Sequence, residues 1–274
     1  MISRPGLLLL ALLVAGCGSV RGPNDNSAAL PDNGPVSSQP RLTFQDGEVL
    51  RYSLTHDTKY SLTGEIAPSP VEMHISFTAM QVHTVADIEG FRARLEVRLE
   101  DVKLANGDDA LARRIAGQVA TLRVAPTGIA EARHSEPGKG PGAPASVAYL
   151  GVALPDRRLQ PFDRWDAQLS FPVGRLLGRV VPEEHVIPVT IHYTIETPKE
   201  LGRVLRYSGN ADFSYEHAAE RAVGRLQVHG FTKLTRDGSR VSFNEESATV
   251  TAEIAMAGAS GFVRVVTSSN LRLP

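Results

Sequence analysis

From Leu50 to Leu62 the chain alternates with a period of two. Leu50, Tyr52, Leu54, His56, Thr58, Tyr60 and Leu62 fall in one phase, and Arg51, Ser53, Thr55, Asp57, Lys59 and Ser61 in the other. Successive side chains of an extended strand point to opposite faces, so this pattern predicts a strand with one face on a core and one in water. At ~3.3 Å per residue the run would extend about 40 Å, roughly twice the length of an ordinary strand.

The runs that follow behave alike. Val71, Met73, Ile75, Phe77 and Ala79 alternate with Glu72, His74, Ser76 and Thr78, and Phe91, Ala93, Leu95, Val97 and Leu99 alternate with Arg92, Arg94, Glu96, Arg98 and Glu100. In both, the apolar phase changes near the far end, at Met80 with Val82 and at Val102 with Leu104. A β-bulge re-aims side chains in this way and bends the sheet. Further alternation covers Trp165 to Phe171, Val189 to Ile195, Ala248 to Met256 and Val263 with Val265. Asp87-Ile88-Glu89-Gly90, Pro126-Thr127-Gly128 and Asp237-Gly238 read as turns. The expected fold is therefore mainly β: a long-stranded, curved antiparallel sheet, as a half-barrel or a flattened barrel.

One short helix is expected, from Asp108 to Ala116, with acids at its start, Arg113 and Arg114 near its end, and Gly117 as its stop. Leu111 and Ile115 lie four apart and would pack on the sheet. Residues 216–225 suit either a helical turn or a strand end, and their β context favours the strand. Val-Leu-Arg-Tyr-Ser occurs at 49–53 and again at 204–208. The repeat would mark two related halves of the 42–274 domain, meeting near 138–160, where Gly138 to Pro144 forms a loop by composition; a single short match also arises by chance.

The amino terminus has the parts of a secretory signal: Arg4, an apolar core from Leu7 to Val14, and small residues at 15 and 16. The core is far shorter than the ~20 residues of a membrane span. Val14-Ala15-Gly16-Cys17 resembles the bacterial lipobox. The resemblance implies removal of residues 1–16 and a diacylglycerol thioether on Cys17, a covalent anchor rather than a cofactor. Cys17 is the one cysteine in the chain, so no internal disulfide competes for it. Two acyl chains hold a protein on a bilayer where one would be marginal. Gly18 stands where aspartate signals inner-membrane retention in enterobacteria, and that likeness implies an outer-membrane, periplasm-facing location. Residues 18–41, rich in Gly, Pro, Asn, Asp and Ser, read as a flexible tether.

The body is similar to a family of uncharacterised β-rich bacterial lipoproteins. The likeness rests on Gly47 to Tyr52 (Gly-x-x-Leu-x-Tyr), on the Pro126-Thr127-Gly128 turn, and on Pro161-Phe162-Asp163-Arg164-Trp165, where Phe162 replaces a family glycine. It implies a fold and no activity. More remotely, a curved sheet on a lipid tether resembles the half-barrel lipoprotein carriers of the Lol and LppX type, which hold acyl chains on a concave sheet.

No catalytic constellation emerges. The eight histidines contain no His-Glu-x-x-His, and Glu183-Glu184-His185 between two prolines reads as a solvated loop rather than a metal site. His56, in an apolar phase, reads as a histidine hydrogen-bonded within the sheet. There is no Gly-x-Ser-x-Gly elbow, and the glycines at 138–142 lack the lysine of a phosphate loop. Without residues 1–16 the chain carries 28 basic and 30 acidic side chains, a balance that points away from nucleic acid. A membrane barrel is disfavoured, because the chain ends Leu271-Arg272-Leu273-Pro274 without an aromatic terminus. The leading expectation is an anchored envelope lipoprotein that binds a lipid or other apolar ligand on the face formed by Leu50, Tyr52, Leu54, Tyr60, Leu62 and Trp165. The alternative is a non-enzymatic scaffold with a filled core and an envelope protein as its partner.

Overall fold

The computed structural model describes residues 40–116, 119–133, 152–177, 181–182, 185–196 and 203–274. The lipobox, most of the tether and the 138–144 loop lie outside the described residues. In chain order the elements are β1 (Val49–Gly64), β2 (Ala67–Glu89), β3 (Arg92–Leu104), α1 (Asp109–Ala116), β4 (Val119–Val124), β5 (Ala130–Arg133), β6 (Arg164–Phe171), α2 (Val173–Leu177), β7 (Ile187–Glu196), β8 (Val204–His217), β9 (Glu220–Leu234), β10 (Val241–Met256) and β11 (Ala259–Arg272).

The strands form one eleven-stranded sheet in the order β5-β4-β3-β2-β1-β11-β10-β9-β8-β7-β6. All pairs are antiparallel and all but one join strands consecutive in sequence. The exception is β1 with β11, in register from Ser53 opposite Arg272 to Gly64 opposite Gly261. The two edges, β5 and β6, are themselves consecutive in sequence but do not pair, so the sheet is not closed. Its curvature is visible in the core: one apolar cluster takes Tyr52, Phe77, Leu95 and Val124 from β1 to β4 together with Ile195, Leu205, Val241 and Leu271 from β7, β8, β10 and β11. A flat sheet could not bring those strands together. The fold is the expected curved sheet, in its half-barrel form.

The bulges sit where the phase changes. The β2–β3 register shifts between Thr78 and Met80, opposite Asp101, which has a left-handed φ of 53°. Buried Ala93 to Leu99 then give way to half-buried Val102 and Leu104. On β2 the outcome is less simple than the expected change to Met80 and Val82. Gln81, His83 and Val85 stay inward, Val82 is buried as well, and a second shift follows at Val85/Asp87. Phe91 is a correction: it lies in the β2–β3 turn, 87% exposed, rather than on the apolar face of β3.

α1 follows its sequence signals. Asp108 is the cap, its Oδ1 accepting from the Leu111 N–H at 3.0 Å, and Ile115 is fully buried. The single-turn α2 was not expected; at five residues it is too short to show a helical period, and Val173, Leu176 and Leu177 bury it against the sheet. Residues 216–225 are a hairpin, the ends of β8 and β9 around a tight turn at Ala218. The repeated Val-Leu-Arg-Tyr-Ser opens β1 and β8, with Tyr52 and Tyr207 buried and Arg51 and Arg206 outward in both.

Two apolar clusters fill the inner face, one under each end of the strands. Between them runs a layer of buried polar side chains, His56, Thr58, Thr267, Glu246, Asn244 and Thr232, and Gln81 and His83 are buried within the first cluster beside Tyr52 and Leu50; each of the eight is at most 4% exposed. Buried polar groups are tolerated when they bond one another. Thr58 donates to Thr267 at 3.1 Å and stands 2.8 Å from His56 Nε2; Gln81 donates to His83 at 2.7 Å, and Thr232 to Asn244 at 2.7 Å.

Candidate functional site: a polar groove on the outer face

The alternation that buries Tyr52, Leu54 and their partners sends their neighbours outward. Register then aligns those neighbours across strands. Asp57 lies opposite Ser268, Ser268 opposite Ser247, Ser247 opposite His229, His229 opposite Ser208, and Ser208 opposite His192. Two residues along each strand, a second row reads Thr55, Asn270, Glu245, Phe231, Arg206 and Thr194. These twelve residues line a groove of about 590 Å³ on the outer face. Its remaining lining residues are Tyr207, Gly230, Glu246 and Ser269, which lie between the rows and contribute main chain as its floor. Crossing six strands at ~4.8 Å spacing, the groove is about 24 Å long and runs perpendicular to them.

It is rich in hydroxyls, and its charged side chains are Asp57 at one end, Glu245 at mid-length on β10 and Arg206 on β8. Beyond the serine row, Asp57 is bonded by His74 on β2 at 2.5 Å, and His192 is bonded by Asp166 on β6 at 2.7 Å. Arg206 is paired with Glu196 at 2.5 Å and lies 5.8 Å from the centre of the Phe231 ring, which stacks on Phe243 at 5.2 Å. Asp166, His192 and Ser208 are direct neighbours on β6, β7 and β8, the residue order of an acid–base–nucleophile relay. The strands themselves argue against that chemistry. β7 and β8 are interior strands whose N–H groups are committed to the ladder, leaving none to stabilise an oxyanion, and His192 and Asp166 are 60% and 63% exposed. The arrangement can hydrogen-bond an elongated polar ligand through many weak contacts.

The expected apolar face is where the alternation placed it. Tyr52 and Leu54 are buried, and Leu50, Tyr60, Leu62 and Trp165 are half-buried against the two clusters. Trp165 stacks on Tyr193, with ring centres 5.2 Å apart, and donates to the Ala153 carbonyl at 2.7 Å. Among the described residues the middle of each cluster is packed by its own side chains, while Leu50, Tyr60, Leu62 and Trp165 keep partial exposure. Tyr52, Val97, Leu205, Leu226, Val250, Val263 and Val265 have no exposure at all, whereas atoms lining a space wide enough for an acyl chain would be accessible to a water-sized sphere.

His56 sits within the sheet as expected, and burial pushes its pKa down to about 4. His83, buried within the first cluster, is pushed down to about 3 for the same reason. His185 lies edge-on to Tyr215 with ring centres 5.3 Å apart, while Glu183 and Glu184 lie outside the described residues. Among the described residues no three His, Cys, Asp or Glu side chains gather as a metal site. The groove was not anticipated, because its rows exist only across strands and no single strand carries a signal for them. No family model matches the chain, and no curated protein matches it.

Proposed function

We propose that this is a lipid-anchored envelope protein, tethered through Cys17 and facing the periplasm from the outer membrane, that works by binding on the outer face of its sheet. Of the two readings open from sequence, the filled inner face favours the non-enzymatic interaction protein over the carrier of apolar ligands. The observation that carries this is the placement of the groove: it lies on the polar face, while the opposite face is packed on itself. The ligand that suits it is a linear, uncharged chain rich in hydroxyls, such as a glycan strand. Repeating serine, threonine and asparagine groups meet such a chain at strand-to-strand intervals of ~4.8 Å, close to the length of one sugar ring. Phe231 offers an apolar wall for a ring face.

Calorimetric titration with neutral linear oligosaccharides of increasing length tests the groove. Affinity should grow with length until six strands are spanned, and Ser247→Arg, which fills the centre of the exposed groove, should abolish it. Equal binding by that variant, or no binding at any length, would overturn the glycan reading. Native mass spectra showing a co-purified lipid would instead restore the carrier. For the anchor, palmitate labelling should be lost on Cys17→Ala; labelling equal to the parent chain would refute it.

A further inference from the structure

We infer that the end of the sheet where the tether joins the body is a membrane-contacting rim, at which Phe91 and Phe162 enter the interface of a phospholipid surface and unpaired arginines meet lipid phosphates. The inference rests on the anchored reading above.

Residues 40–43 fix which end this is. Leu42 N–H donates to the Pro126 carbonyl in the β4–β5 turn at 2.8 Å, and Thr43 N–H donates to the Ser239 carbonyl in the β9–β10 turn at 3.1 Å. The described chain therefore begins at this rim. The strands being antiparallel, the β2–β3 turn and the turn that opens β6 lie at the same end. Those two turns carry Phe91, 87% exposed, and Phe162, 75% exposed, the two most exposed large apolar side chains among the described residues. Phe162 also holds a φ of 65°, a left-handed conformation that glycine adopts freely and an aromatic residue does not. An exposed aromatic ring kept at a backbone cost, at a turn tip where it supports no core, is accounted for by contact outside the fold.

Arg158, Arg164, Arg236 and Arg272 are exposed at this end with no carboxylate within ion-pairing distance among the described residues, and they stand among the exposed acids Asp46, Asp156 and Asp237. The far hairpins carry Glu65, Glu216 and Glu220 with Arg221. Arginines beside apolar turn tips match a surface that is anionic at the headgroups and apolar beneath. The tether alone cannot impose the contact, since residues 17–39 extended would reach ~80 Å.

With Cys17 acylated, a single introduced cysteine can be labelled selectively. Full-length Phe91→Cys, Phe162→Cys and Ala257→Cys proteins, the last at the far end, would be spin-labelled and reconstituted in vesicles of phosphatidylethanolamine and phosphatidylglycerol. Labels at 91 and 162 should be accessible to oxygen and shielded at least tenfold from an aqueous nickel complex relative to the label at 257. Equal nickel accessibility at all three positions would overturn the rim. An Arg236→Cys label should lose its shielding when Phe91→Ser and Phe162→Ser are combined; unchanged shielding there would mean the phenylalanines do not carry the contact. Failure of the anchor reading is read separately, as spin label on Cys17 itself.

Discussion

Tyr207 and Glu246 meet across the strand that separates them: the Tyr207 hydroxyl on β8 donates to the Glu246 carboxylate on β10 at 3.1 Å, passing over Gly230 on β9. A Cβ at 230 would fall 2.5 Å from that hydroxyl and 2.3 Å from the Glu245 carbonyl oxygen. Only glycine leaves the bridge room, and the bridge closes the polar layer between the two apolar clusters. Gly230→Ala should therefore displace both the tyrosine and the β10 main chain. The expected cost is ~1–3 kcal/mol, as for other overpacked sites, and Tyr207→Phe should cost about 1 kcal/mol. Urea midpoints decide it; a Gly230→Ala protein as stable as its parent would show that the layer yields to an added methyl.

Two buried histidines, His56 in that layer and His83 in the first cluster, make stability pH-dependent. Burial lowers the pKa of His56 to about 4 and of His83 to about 3, so both are neutral in the fold. Once pH falls below ~6.5 the unfolded chain takes up protons that the folded chain refuses, so their stabilisation is complete above ~6.5 and is lost as pH falls toward 4. By pH 5 the loss should be on the order of 2 kcal/mol per histidine. Asp163, Asp212 and Asp237, whose hydrogen bonds hold them below the ordinary carboxylate range, act in the same direction at lower pH. Urea unfolding of the parent and of His83→Gln at pH 7.5 and pH 5 should show a shallower pH dependence in the variant. Identical slopes would mean that His83 accepts a proton without loss of the fold.

How far the sequence foretold this molecule follows from the range of its signals. Alternation is local to a strand, and it identified the inward phase of β1 residue by residue, including His56 and Thr58, which composition alone would have placed in water. The acidic start of α1, the Asp237-Gly238 hairpin and the phase change at Val102 were equally local. The groove was invisible for the opposite reason: Asp57, Ser268, Ser247, His229, Ser208 and His192 are scattered over more than two hundred residues, and only register gathers them. The filled inner face could not be read either. Whether a curved sheet closes on itself or on a ligand depends on how segments such as 152–159 and α2 fold across it, and neither has a periodicity to announce it.

Phe162 offers a test in which loss of a side chain should stabilise. Left-handed backbone costs a non-glycine residue ~1–2 kcal/mol, and a ring that is 75% exposed returns little packing. Glycine removes that strain but adds freedom to the unfolded chain, leaving an expected net gain of up to about 1 kcal/mol for Phe162→Gly. Asp163, which accepts from Gln160 N–H and from Arg157 at 2.7 Å each, should hold the turn in both proteins. Thermal unfolding would read the difference. A destabilised Phe162→Gly protein would mean that the ring supports the fold after all, and would remove one of the reasons for placing it in a membrane interface.

Leu54 and Thr55 are neighbours in sequence that face opposite solvents, and the contrast between them tests the fold and the groove together. Leu54 is 2% exposed, in the cluster shared by strands from both flanks of the sheet, while Thr55 is exposed in the second row of the groove. Leu54→Asp buries a carboxylate with no partner and should cost several kcal/mol or prevent folding, because an unpaired buried charge loses its hydration without compensation. Thr55→Asp keeps its new charge in water and should shift stability by no more than about 0.5 kcal/mol. The Thr55→Asp protein should nevertheless bind neutral oligosaccharides more weakly. The added carboxylate stands beside Asn270 and near Asp57, where it replaces a hydroxyl that both donates and accepts with a group that only accepts. Equal urea midpoints for the two variants would overturn the assignment of faces on β1. A Thr55→Asp protein that folds like its parent and binds glycan equally well would keep the fold and move the ligand out of the groove.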